Sequence, residues 1–159
     1  MDDLFYGGEG QRLGKEELVE NIRLFMSHNP EAFYKIIIGS DSQLFPDHNA
    51  DFVTAVVVHR VGNGGRYFWR RTNGKKFYTL RDRIIEEVML SLNTAIDLLQ
   101  ILREKIELKF DFEVHVDIGE HGKSSSLISE VTGMIRAYNF SFKTKPESYA
   151  ASSVADKHV

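Results

Sequence analysis

The 159-residue chain has no cysteine, which excludes structural disulfides and thiolate zinc sites and is compatible with a reducing compartment. No apolar run reaches the length of a membrane span. The first residues, MDDLFYGGEGQ, are acidic and glycine-rich where a signal peptide is basic and then apolar. A soluble, cytoplasmic protein that does not engage membranes is the expectation. Internal repeats, low-complexity tracts and linker-like stretches are also missing, and the length suits one sizeable core better than two. We therefore expect a single domain over residues 1–159, with residues 1–32 forming an N-terminal segment and a helix ahead of the first main strand. The oligomeric state is left open.

A formal net charge of -3 argues against wholesale coating of nucleic acid, yet the charge is unevenly spread. Arg66, Arg70, Arg71, Lys75 and Lys76 are interleaved with Tyr67, Phe68 and Trp69 and followed by Phe77 and Tyr78. Such a segment can neutralise phosphates and stack on exposed bases. It reads equally as a sheet strand whose arginines solvate the outer face, because alternation puts Tyr67, Trp69 and Arg71 on one side and Arg66, Phe68 and Arg70 on the other.

Hydrophobic spacing predicts a helix over Lys15 to Ser27, closed by Asn29-Pro30. Strands are expected over Phe33 to Gly39 and Phe52 to Arg60. The turn residues 61–65 (VGNGG) should fold the second back antiparallel onto Arg66 to Thr72. A long helix follows from about Thr79, its cap, to Leu102, with Ile85, Val88, Met89, Leu92, Ile96 and Leu99 as its apolar stripe. Phe110 to Ile118 alternates apolar and polar, predicting a strand with Asp111, Glu113, His115 and Asp117 on an uncovered face. A helix over Lys123 to Tyr138, a short strand over Phe140 to Lys145 and a terminal helix over Tyr149 to Val159 complete the expectation, a mixed α/β fold.

Four carboxylates lie on separate elements: Asp41 after an apolar strand in IIIGSDSQ, Glu86 or Glu87 within the long helix, Asp117 at the end of a strand, and Asp156 in the tail. Like charges about 4 Å apart repel by roughly 4 kcal/mol at an effective dielectric of 20, so such a cluster calls for protons or cations. Oxygen-only donors favour hard ions such as Mg²⁺ or Mn²⁺, and a pair of them activates water in phosphodiester hydrolysis. Each acid also has a plainer reading. Asp41 suits turn chemistry, Glu86 and Glu87 a helix surface, Asp117 a solvated strand face, and Asp156 a frayed end.

Other motifs compete with this reading. GEHGKS, residues 119–124, follows a strand and opens a helix, but a nucleotide-binding phosphate loop needs glycine where Asp117 stands. Amides at that helix start, with Lys123, would still suit a backbone phosphate, or the segment is a plain turn. His115, Asp117, His121 and His158 offer a nitrogen-rich metal site, which would point to a small-molecule phosphohydrolase. His158 also suits proton transfer beside Asp156, or simply an ordered terminus.

IGSDSQ, the long helix with its internal acid, VDIGEHGKSS at residues 116–125 and KPESYAASSVADKH at residues 145–158 together resemble the YkuK-type family of ribonuclease H-like proteins. The resemblance implies a five-stranded mixed sheet, its first three strands antiparallel, flanked by helices. It also implies a metal-dependent nuclease, acting on RNA, DNA or a hybrid, with Asp41, Glu87, Asp117 and Asp156 as catalytic Mg²⁺ or Mn²⁺ ligands; His158 joins the catalytic candidates by its position two residues from Asp156. By position Glu86 is the alternative to Glu87, which is preferred because Ser91 and Ala95 follow at one-turn intervals and let its face approach the sheet. The basic candidates for nucleic-acid contact are Arg66, Trp69, Arg70, Arg71, Lys75, Lys76 and Lys123. A module of the same fold that binds nucleic acid or protein without turnover is the alternative.

Overall fold

The computed structural model describes residues 4–159, so residues 1–3 of the expected N-terminal segment lie outside the described residues. Seven strands form one sheet: β1 (Phe5–Gly7), β2 (Arg12–Leu13), β3 (Tyr34–Leu44), β4 (Asn49–Arg60), β5 (Gly65–Lys76), β6 (Asp111–His115) and β7 (Ser141–Lys143), in the spatial order β2-β1-β5-β4-β3-β6-β7. The mixed α/β class and the antiparallel run β3-β4-β5 match expectation, whereas the strand count of five does not. The two additional strands are a short hairpin in the N-terminal segment that pairs onto the outer edge of β5, with Tyr6 opposite Trp69. Phe5 anchors that hairpin in the core at 1% exposure.

Helices α1 (Lys15–Ser27), α2 (Leu80–Lys105) and α3 (Ile128–Ala137) contribute to the main core. α1 buries Leu18, Val19, Ile22, Phe25 and Met26 at helical spacing. α2 starts where expected, with the Asp82 N–H donating to Thr79 Oγ1 at 3.1 Å. Its buried face runs through Ile84, Val88, Ser91, Leu92, Thr94, Ala95, Leu98 and Leu102, so Ile96 of the expected stripe is 42% exposed. The helix is turned so that small polar residues meet the sheet. Ser40 Oγ bonds Ser91 Oγ at 2.7 Å and Thr54 Oγ1 at 2.9 Å, which satisfies hydroxyls that are otherwise costly to bury.

Several boundaries differ from expectation for local reasons. β3 does not stop at Gly39 but runs to Leu44, because β4 pairs with it throughout, from Tyr34 opposite Arg60 to Leu44 opposite Ala50. Asp41 therefore lies within a strand rather than a turn. The expected helix from Lys123 begins later, with a 3₁₀ turn at Ser125–Leu127 ahead of α3, after Gly122 at φ +99° and a run of serines that favour local turns over helix. The tail forms a π-helical turn at Ala150–Ala155 and a 3₁₀ turn at Asp156–His158.

That tail packs on the sheet face opposite the main core. Ile37 and Val57 meet Ala150, and Val53 and Ala55 meet Ala155. The uncovered polar face expected for the fourth main strand is thus covered: Glu113 is 6% and His115 1% exposed. Its covering segment lies 35 residues downstream at Ala150, out of reach of local periodicity. No described helix is long and apolar enough to cross a membrane.

Candidate functional site

β3 is the strand at which the sheet changes sense. It pairs antiparallel with β4 on one side and parallel with β6 on the other, but the β6 pairing ends at Gly39 opposite His115. Ser40 to Leu44 continue past that point, and a crevice outside the carboxyl ends of strands at such a reversal is a recurrent ligand position in α/β sheets. Asp41 and Asp117 each lie two residues beyond the last pair, so continuing the register places them side by side.

Acids from both faces of the sheet reach this crevice. Ser42 Oγ donates to Glu87 Oε2 at 2.7 Å, bringing α2 down on the helix-covered side. On the other side the tail brings Asp156 close enough to the Asp41 carboxyl to help raise it. Burial, then the Asp156 carboxyl and the charge of Asp117, push Asp41 up to about 7, while the Ser42 N–H donating to Oδ1 at 2.9 Å pulls the other way. Burial also pushes Glu87 up to about 8, aided by Asp41 and Asp117 and opposed by the Ser42 hydroxyl and by Arg83. Glu87, rather than Glu86, turns to β3, and the fully packed Ser91 and Ala95 below it allow that approach.

Two cations border the crevice. Arg83 lies one turn before Glu87, and Lys145 Nζ stands 3.3 Å from Asp117 Oδ1. Among the described residues no three histidine, aspartate or glutamate side chains converge closely enough to hold a metal ion as they stand. The four acids thus form a crowded neighbourhood, not a closed ligand shell. Its donor set is all oxygen, which suits a hard divalent cation, with ligation requiring the carboxylates to turn inward.

The histidines are distributed differently. His115 is committed to structure: its Nδ1 accepts from the Ala150 N–H at 3.2 Å, its Nε2 faces Glu113 Oε1 at 3.4 Å, and Lys35 Nζ is 3.5 Å from the same oxygen. Burial holds the His115 imidazole below its ordinary value, consistent with a neutral acceptor. His121 is exposed in the loop after β6. His158 stacks on Trp69 at 4.4 Å and 10°, and among the described residues its buried Nε2 finds no hydrogen-bond partner. A nitrogen-rich site built on His115, His121 and His158 therefore has no geometric basis among the described residues.

The basic candidates divide into those held within the fold and those that are exposed. Arg66 lies 4.7 Å over Phe25, Arg70 lies 4.6 Å over Phe5 and donates to Thr94 Oγ1, and Arg71 bridges Asp51 and the His158 carbonyl. Trp69 is flanked by Tyr6 and His158. Lys75 and Lys76 are exposed at the far end of β5, and Lys123 is exposed in the loop before α3. The Glu113–His115–Tyr149 cluster that fastens the tail has no local signal, because Glu113 and His115 alternate with Phe112 and Val114 as they would on any half-covered strand.

A family model described as Ribonuclease H-like matches residues 17–159. The chain is 32% identical over 168 residues to the uncharacterized protein YkuK of Bacillus subtilis (strain 168), an alignment covering 97% of this chain and 95% of that one. No solved structure matches the chain.

Proposed function

The chain belongs to the YkuK-type family of ribonuclease H-like proteins, and on that premise we propose that it is a divalent-metal-dependent nuclease hydrolysing phosphodiester bonds. The observation that carries this reading is the convergence of acids from separate elements at the open end of β3, where Glu87 of α2 meets Ser42 beside Asp41, and where Asp117 and Asp156 lie close enough to help raise the Asp41 carboxyl to about 7. Carboxyls gathered at the open end of a strand, and raised in this way, are a recurrent mark of functional sites. Asp41, Glu87, Asp117 and Asp156 would hold Mg²⁺ or Mn²⁺. Bound there, the ion would supply water activation and stabilisation of the leaving oxygen.

The chain's own groups have separate tasks in this reading. Ser42 orients Glu87 by its 2.7 Å hydrogen bond, Ser42 N–H orients Asp41, and Arg83 and Lys145 are the cations nearest an incoming phosphate. His158 is carried on the same turn as Asp156, and its Nε2, without a hydrogen-bond partner among the described residues, is a candidate proton-transfer atom. Cleavage of an oligonucleotide should appear with Mg²⁺ or Mn²⁺ and vanish in Asp41→Asn. Cleavage retained in that variant would remove Asp41 from the mechanism.

The Lys145–Asp117 ion pair favours a second reading, a module of the same fold that binds nucleic acid without turnover. Salt-sensitive binding by a chain that cleaves neither RNA, DNA nor hybrid in either metal selects it.

A further inference from the structure

At the end of the sheet nearest the acids, β3, β4 and β5 finish together. The Phe45 N–H donates to the Asn49 carbonyl at 2.8 Å, Asn49 stands opposite Lys76, and the Phe77 N–H donates to the His48 carbonyl at 2.8 Å. These bonds make one rigid tip from two chain segments. His48 is held at φ 69°, in the left-handed region that non-glycine residues seldom occupy, and its ring lies 4.7 Å from that of Tyr78 at 36°. Tyr78 is nevertheless 69% exposed, so much of its ring is open to solvent. Phe45, on the same turn as His48, is 36% exposed.

Lys75 and Lys76 are exposed on the same tip. Asp47, the acid of the turn, is folded back onto Asn49, accepting from its backbone N–H at 3.1 Å and its side-chain amide at 2.7 Å. Arg66, Arg70, Arg71 and Trp69, by contrast, are spent on contacts within the fold. The exposed cations of this segment, Lys76 of which also lies close enough to Asp47 for the two charges to interact, therefore coincide at its end with the exposed ring of Tyr78. We infer that Tyr78, with His48 behind it and Lys75 and Lys76 beside it, forms a base-stacking and phosphate-binding platform for single-stranded nucleic acid. The assignment rests on the nuclease reading for its substrate class.

Position links the platform to the acids. From Asp41 to Leu44 is three strand residues, about 10 Å at about 3.4 Å each. From Leu80, two residues after Tyr78, to Glu87 is seven helical residues, again about 10 Å at about 1.5 Å each. A strand stacked on Tyr78 thus has its neighbouring phosphates close to the crevice. Duplex bases are already stacked on each other and offer no free face to the ring, which is why the platform selects single strands.

The test is fluorescence anisotropy in EDTA, so that binding is read without turnover, using a labelled single-stranded oligonucleotide and a blunt duplex of the same sequence. Tyr78→Ala should weaken single-strand binding roughly five- to hundredfold, whereas Tyr78→Phe stays within about twofold of the wild type. Lys75→Ala with Lys76→Ala should lower the salt slope by roughly one to one and a half. Wild-type affinity in Tyr78→Ala, or equal affinity for duplex and single strand, overturns the platform. Metal-dependent cleavage with unchanged binding in these variants would leave the nuclease reading standing and sink only the platform. Binding lost in Tyr78→Ala from a chain that never cleaves would do the reverse.

Discussion

Ser42 Oγ donates to Glu87 Oε2 at 2.7 Å, tying α2 to β3 one residue beyond Asp41. The bond favours the ionised glutamate, opposing the burial that pushes this carboxyl up to about 8. Ser42→Ala should therefore raise the Glu87 midpoint by about one further pH unit, since a hydrogen bond to a charged group contributes about 1.5 to 3 kcal/mol and exposure reduces its share. The pH at which cleavage and Mn²⁺ binding reach half their maximum should shift upward by a similar amount. Ser42→Thr, which keeps the hydroxyl, should stay near the wild type. An unchanged pH profile in Ser42→Ala would separate this bond from the chemistry.

Asp41 and Glu87 both titrate higher in the folded chain, at about 7 and about 8 against ordinary values of 3.8 and 4.5. Between those limits the folded state holds more protons than the unfolded state, so stability is greatest on the acidic side and falls as pH rises through the window. In EDTA the melting temperature should drop between about pH 5 and about pH 8, by an amount equivalent to at most about 6 kcal/mol. Asp41→Asn should flatten that slope and melt higher than the wild type near pH 8. Mg²⁺ or Mn²⁺ should raise the wild-type melting temperature more at pH 8 than at pH 5, because protons compete for the same oxygens. A melting temperature independent of pH in EDTA would mean that the carboxylates are not crowded in solution.

The parts of the fold that were legible in the sequence are those written locally. α1, the turn after Arg60 and the Thr79 cap of α2 follow from helical spacing, glycine-rich turn chemistry and a hydroxyl at the right offset. The hairpin β1-β2 was not legible, because strands of three and two residues carry no periodicity and their partner Trp69 is far along the chain. The burial of Glu113 and His115 was hidden for the same reason, being imposed by the tail rather than by their own strand. At the crevice, the turn of Glu87 rather than Glu86 toward β3 was written in the small residues Ser91 and Ala95. The commitment of Arg66, Arg70 and Arg71 to rings and carbonyls was not, since a basic run looks alike whether its charges are free or spent.

His115 fastens the tail that carries Asp156. Its Nδ1 accepts from the Ala150 N–H at 3.2 Å, and its ring meets Tyr149 edge-on at 4.8 Å. His115→Ala leaves that N–H without an acceptor and a void beneath Tyr149, together costing about 2 to 4 kcal/mol. Hydrogen exchange should rise across residues 148–158 while α1 stays protected, and the metal-induced rise in melting temperature should shrink as Asp156 loses its anchor. Uniform loss of protection throughout the chain would show that His115 supports the whole core instead of the tail.

Lys145 Nζ lies 3.3 Å from Asp117 Oδ1, with the lysine side chain 50% and the aspartate 23% exposed. A pair this open to solvent contributes at most about 1 kcal/mol to stability, so Lys145→Met should melt close to the wild type. Its consequence lies in binding. The ammonium competes with any divalent cation for the Asp117 oxygen, and it is also positioned to meet a substrate phosphate. Removing it should tighten Mn²⁺ binding by roughly two- to fivefold, following the loss of a screened charge a few ångströms from the ligand. The same variant should bind oligonucleotide more weakly in EDTA. Calorimetric titration with Mn²⁺ and anisotropy on one preparation read both effects, and movement of the two affinities in the same direction would rule out a lysine that trades between cation and phosphate.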